Sequence, residues 1–130
     1  MSALPDIPAD SALARLFQQE RVQAEAVWFS LPGGQTLYAA GDKSDQLYFV
    51  RAGRLGAFRR EQGNEAQFLG VIRPGEPAGE MSLIADAPHS ADVVALRDTE
   101  IIAVPRDVSF DAAEADTAVI RGKGEAEAIG

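Results

Sequence analysis

Apolar and polar positions along the chain follow two rhythms. Ala12, Leu13, Leu16 and Phe17 recur at helical spacing behind Asp10 and Ser11, either of which can cap a first turn, and this predicts one short amphipathic helix over about 10–24. From Val27 the period shortens. The runs VWFSL, QTLYA, QLYFV, RLGAFR, QFLGV, DVVAL and EIIAV alternate with turn residues, as a series of short strands does. Past Pro105 a helical pattern returns, with Phe110, Ala113, Val119 and Ile120 on its apolar face, until Gly122-Lys123-Gly124 interrupts it.

The punctuation between the runs has specific chemistry. Pro32-Gly33-Gly34, Gly41-Asp42, Gly53, Gly63-Asn64 and Pro74-Gly75 each supply a fixed φ or a position where φ can be positive. Strands of four to seven residues at this spacing predict an all-β sandwich or barrel. The expected organisation is a single domain. It consists of a leader and helix over 1–25, a β unit over 26–106, and a C-terminal helix with a frayed acidic tail over 107–130.

Composition narrows the function. At 130 residues and 46% apolar content the chain suffices for one core. Twenty acidic against twelve basic residues leave a net charge of -8, which repels nucleic-acid backbones and anionic membrane surfaces. Without cysteine, disulfide frameworks and thiolate metal sites are excluded. No apolar run approaches the roughly 20 residues of a membrane helix, and the N-terminus lacks the basic start of a signal peptide. A cytoplasmic location is the expectation.

The chemistry concentrates in residues 79–92, GEMSLIADAPHSAD, which hold the chain's single histidine. Together with the upstream segment G-D-x-x-D-x-L-Y-F-V (Gly41, Asp42, Asp45, Leu47 to Val50), the G-E-M-S-L segment (Gly79 to Leu83) resembles the cyclic-nucleotide-binding domain family over about 29–106. The resemblance implies a mainly β fold, an eight-stranded β-roll with short flanking helices at both ends. It also implies that residues 79–91 form the phosphate-binding cassette, a one-turn helix and loop between two strands. Amide groups at a helix start suit a cyclic phosphate, and a nearby carboxylate suits a ribose hydroxyl.

By this resemblance the ligand-binding residues are Gly79, Glu80, Met81, Ser82, His89, Ser90 and Ala91. Glu80 is the ribose ligand, Gly79 permits close backbone approach, and Met81 and Ser82 lie in the helical turn. The implied ligand is cyclic AMP or cyclic GMP, with no other cofactor and no metal. In the family's mechanism an apolar contact, here from Leu83 or Ile84, carries the ordering of the cassette to the C-terminal helices.

The sequence departs from the family at three places. Pro88-His89-Ser90-Ala91 stands where the family has Pro-Arg-(Ala/Ser/Thr)-Ala, so a titratable imidazole replaces the fixed cation that pairs with phosphate. Histidine is shorter than arginine and only about a quarter protonated at pH 7 if its pKa is near 6.5. Asp92 replaces a small hydroxyl residue, and Pro77-Ala78 replaces an aromatic before the Gly-Glu pair. Between Arg73 and Arg97 there is no lysine or arginine, while Glu76, Glu80, Asp86 and Asp92 are acidic.

Two readings of His89 stand side by side: a pH-dependent phosphate ligand, and a loop histidine bonded to its neighbours. Ser90 is either a hydroxyl donor or a small residue fitting a tight loop. Trp28 and Phe29 read as core or helix packing rather than a base-stacking platform. One histidine and no cysteine do not make a cupin-type metal site, and nothing past Arg106 supplies a helix-turn-helix.

Pro-His-Ser followed by VVALRDTEIIAVPR also resembles a narrower subgroup, the regulatory domains attached to patatin-type lipid hydrolases of the neuropathy-target-esterase group. That would make the histidine a subgroup feature and put the output domain on a longer parent chain, since no G-x-S-x-G turn is present. The function expected is a non-enzymatic regulatory domain that binds a cyclic nucleotide weakly or in a pH-dependent way. Its alternative is a non-binding scaffold module of a larger protein.

Overall fold

The computed structural model describes residues 7–60 and 65–115. The elements are α1 (Ala12–Leu16), α2 (Glu20–Glu25), β1 (Val27–Leu31), β2 (Thr36–Tyr38), β3 (Gln46–Ala52), β4 (Leu55–Arg60), β5 (Ala66–Ile72), β6 (Pro77–Ala78), α3 (Glu80–Ala85), β7 (Asp92–Ala95), β8 (Thr99–Pro105) and α4 (Arg106–Ala115). The eight strands form two antiparallel four-stranded sheets, ordered β1-β8-β3-β6 and β2-β7-β4-β5. This is the expected β-roll with short helices at both ends.

Period-two alternation decides which side chains enter which core. On β3, Leu47 and Phe49 face the helices, joining Leu13, Leu16 and Val108 in one buried cluster. Val50, on the opposite face, packs between the sheets with Leu55, Ile72, Val93 and Ile101. Strand β8 lies between β1 and β3 and feeds both clusters, Ile102 and Val104 one and Ile101 the other. A strand buried on both faces has to read as a nearly unbroken apolar run, which is why EIIAV does not alternate.

Two expectations need correction. The helix over about 10–24 is two short helices. Ser11 caps α1 through its side chain, and α1 ends at Phe17; Gln19 is then extended (φ -90°, ψ 131°) before α2 begins. Phe17 turns edge-on to Trp28, with ring centroids 5.7 Å apart, and the Gln23 side-chain amide donates to the Phe17 carbonyl at 2.6 Å. The tertiary contact at Phe17 and the local cap outweigh a continuous helical period. Secondly, the run QTLYA forms a strand only over Thr36–Tyr38, and a strand that no apolar run announced, Pro77–Ala78, pairs with Tyr48 and Phe49 of β3.

The C-terminal helix begins directly after Pro105, as expected. Arg21 of α2 forms ion pairs with Asp107 and Asp111 of α4, and the Gln19 side chain donates to the Ala112 carbonyl. The tail expected to fray, beyond Ala115, lies outside the described residues.

Candidate functional site

The topology brings the cassette against the β2–β3 turn. Strand β6 delivers Gly79 from one sheet, while β7, which follows the cassette, pairs with β2 of the other sheet, with Tyr38 opposite Val93. Gly79 adopts a left-handed conformation (φ 87°, ψ 11°) at the N-cap of α3, and Asp86 closes that helix, also left-handed (φ 54°, ψ 46°). A Cβ on Gly79 would lie 2.8 Å from His89 Cε1. Glycine is therefore required there twice over, by φ and by space.

His89 is held from its backbone. Its N–H donates to the Asp42 carbonyl at 2.9 Å, and its carbonyl accepts from the Gly41 N–H at 2.8 Å. The imidazole is buried, 3% exposed, and stacks on the Tyr38 ring with centroids 3.6 Å apart and planes 12° apart. Tyr48 stands behind Tyr38 at 5.8 Å. Among the described residues neither His89 Nδ1 nor the Tyr38 hydroxyl has a hydrogen-bond partner. An unsatisfied buried polar group costs about 1–3 kcal/mol, so the stack exists at the expense of two such groups.

Burial pushes the His89 imidazole below its usual value of 6.5, against the pull of the Asp42 and Asp45 carboxylates. Burial likewise raises the Tyr38 phenol, helped by the charge of Glu80 and by Tyr48. Both shifts favour the uncharged ring near pH 7. Within residues 79–91 His89 is the only side chain able to carry a positive charge, so at neutral pH the cassette holds no cation of its own.

The other expected site residues divide by burial. Glu80 and Ser82 are buried in α3, and Ala91 is buried ahead of β7. Met81 points outward at 42% exposure, and Ser90 is exposed. Of the two residues offered for coupling, Leu83 lies in the helix-side core with Phe49, Val108 and Ala112, whereas Ile84 is exposed. Leu83 thus links the cassette helix to α4. A second link is the ion pair between Asp86 and Arg106, 3.3 Å apart, at the start of α4.

Asp92 does not aim at the cassette. Its Oδ1 accepts from the Ala40 N–H at 2.7 Å and its Oδ2 lies 3.6 Å from Arg60 Nη2, so it pins the β2–β3 turn. Asp42 braces the same turn by accepting from the Ala39 N–H at 3.0 Å. Sequence reasoning singled out neither Tyr38 nor the acidic pair Asp42 and Asp45 as part of the site. The G-D-x-x-D spacing carried a signal for the acids, but nothing local marks Tyr38 as the partner of a residue 51 positions away. Among the described residues no group of His, Asp or Glu side chains is placed to hold a metal ion.

The family model for the cyclic nucleotide-binding domain matches residues 28–116, more than half of the chain. The chain belongs to the cyclic nucleotide-binding domain family. Among curated proteins, a cyclic AMP receptor protein of Thermus thermophilus is 38% identical over 76 residues, 58% of this chain and 35% of that one. A lysophospholipase nte1 of Neosartorya fischeri is 35% identical over 79 residues, 61% of this chain and 5% of that one. The chain therefore spans a minor part of the length of these relatives.

The Thermus thermophilus catabolite activator protein superposes with a TM-score of 0.72 at 27% identity, covering 85% of this chain and 55% of that one. A regulatory subunit of a cAMP-independent protein kinase A from Trypanosoma brucei has a TM-score of 0.80 at 16% identity, covering 97% and 46%. The latter is a likeness of fold alone. The subgroup resemblance read from Pro-His-Ser has its counterpart in the lysophospholipase relatives.

Proposed function

We propose that this is a non-enzymatic regulatory domain of a longer, cytoplasmic polypeptide, one that binds a cyclic nucleotide weakly at neutral pH and more tightly as His89 takes up a proton. The observation that carries the reading is the buried imidazole, stacked on Tyr38, at the position where the family keeps a cation. A cyclic phosphate entering the cassette would find backbone amides of Gly79 to Ser82 and the carboxylate of Glu80 suited to a ribose hydroxyl, but no countercharge until His89 is protonated. Protonation favours leaving the apolar stack, since a charged imidazole is poorly accommodated in a buried site. Ordering of α3 would then pass through Leu83 to α4, whose attachment on the parent chain is the route to an output domain, a patatin-type hydrolase by analogy with the lysophospholipase relatives.

Calorimetry with cyclic AMP and cyclic GMP at pH 6 and pH 8 tests this, on the wild type and on His89→Arg. Binding that strengthens at pH 6 in the wild type, and that becomes insensitive to pH in the arginine variant, is the expected result. The scaffold reading draws support from Val27, Trp28 and Phe29, three successive exposed apolar residues on β1, a strand that among the described residues pairs with β8 alone. Absence of heat at either pH, in both proteins, would leave that reading standing.

A further inference from the structure

We infer that Tyr38 is the positioning residue of this cassette: it holds His89 over Gly79, so the protein's own side chain fills the space at the start of α3, and a ligand enters only when the two rings part. The inference rests on reading the cassette as a nucleotide site and adds how that site is closed.

Three observations converge on it. The rings are nearly parallel at 3.6 Å, closer than Tyr38 lies to Tyr48, and both are almost fully buried. The point where a Cβ of residue 79 would sit is 2.8 Å from His89 Cε1, 3.4 Å from His89 Nδ1 and 3.5 Å from the Tyr38 hydroxyl oxygen. Where backbone could approach a ligand closely, it instead meets this pair. Among the described residues His89 Nδ1 and the Tyr38 hydroxyl are also both unpartnered. Parting the rings therefore breaks no hydrogen bond of either atom and frees both to find partners.

The titratable groups around the stack come from three elements. Asp42 and Asp45 lie on the β2–β3 turn, Tyr48 on β3 and Glu80 on α3. The acids favour a protonated imidazole once it turns out to water, whereas the stacked position favours the neutral form. Tyr38 thus sets how much of the protein presents an open cassette, and apparent affinity scales with that fraction.

The test uses the full chain with Tyr38→Phe, which keeps the ring, and Tyr38→Ile, which removes it; Tyr38→Leu stands in should the isoleucine variant fold poorly. The single histidine gives one imidazole signal in proton–carbon NMR, so its titration is read without ligand. The phenylalanine variant is expected to titrate as the wild type, and the isoleucine variant at higher pH. Calorimetry with cyclic AMP at pH 7 is expected to show about tenfold tighter binding in the isoleucine variant than in the phenylalanine one, as a larger open fraction requires. Equal imidazole titration in the two variants would overturn the role of Tyr38. So would equal affinity, provided that His89→Arg binds. If His89→Arg does not bind either, the nucleotide reading fails, and the imidazole titration alone decides whether Tyr38 positions His89.

Discussion

His89 lies flat on Tyr38, with 3.6 Å between ring centroids, although 51 residues separate them along the chain. The contact joins the loop ahead of β7 to the strand β2 that pairs with β7. It buries a titratable side chain over Gly79, at the start of the cassette helix. Four consequences of this arrangement and its supports are open to measurement.

Stability should fall with acid through His89. The native imidazole holds its proton less tightly than the unfolded chain's, whose value is near 6.5. Between the two values the unfolded state binds more protons, so the stabilising contribution is complete above about pH 6.5 and is lost as pH falls toward the native value. Urea denaturation across pH 7.5 to 5 should show a drop in wild-type stability that is smaller in His89→Gln. A drop of equal size in both would assign it to the carboxylates.

Gly79→Ala should destabilise the domain by about 1–3 kcal/mol, the usual range for a strained backbone. Its φ of 87° and the 2.8 Å approach to His89 act together. The substitution should also shift the His89 imidazole signal, since the methyl group displaces the ring. An unshifted signal would mean that the ring does not rest on Gly79.

Leu83→Ala should cost about 2–5 kcal/mol, as truncation of a fully buried leucine does. Because Leu83 belongs to the same buried cluster as Val108 and Ala112, amide exchange should speed up in α4 as well as in α3. Ile84→Ala, on the exposed face, should change stability little. Equal losses for the two would remove the distinction between the faces of α3.

Asp92→Ala should destabilise by about 0.5–1.5 kcal/mol, mainly through the Ala40 N–H left without its acceptor. The ion pair with Arg60, whose side chain is 73% exposed, adds little. Arg60→Ala is therefore the contrast, expected to be near neutral in the same denaturation experiment.

Much of this architecture is local enough to read from sequence. The seven apolar runs became strands because alternation and glycine or proline punctuation are properties of neighbouring residues, and Gly79 could be picked out because a cassette turn needs it. What escaped was set at long range. Pro77–Ala78 is a strand only because β3 lies beside it, and the helix over 10–24 breaks because Phe17 meets Trp28. Asp92 could not be aimed from sequence, since its acceptor role depends on Ala40, 52 residues earlier. Sequence offered His89 as a ligand or as a loop residue bonded to its neighbours; the structure adds a backbone bonded to the β2–β3 turn and, among the described residues, a ring nitrogen without a hydrogen-bond partner.

The most direct measurement is the imidazole titration of the one histidine in the ligand-free, wild-type chain, followed by proton–carbon NMR from pH 4.5 to 8. A His89 value below 6.5, with ring-current shifts from Tyr38 that diminish as the proton is taken up, is the predicted result. A value above 6.5 would mean a charged, solvated imidazole held by Asp42 and Asp45, and would contradict a cassette that is closed and holds no cation at neutral pH.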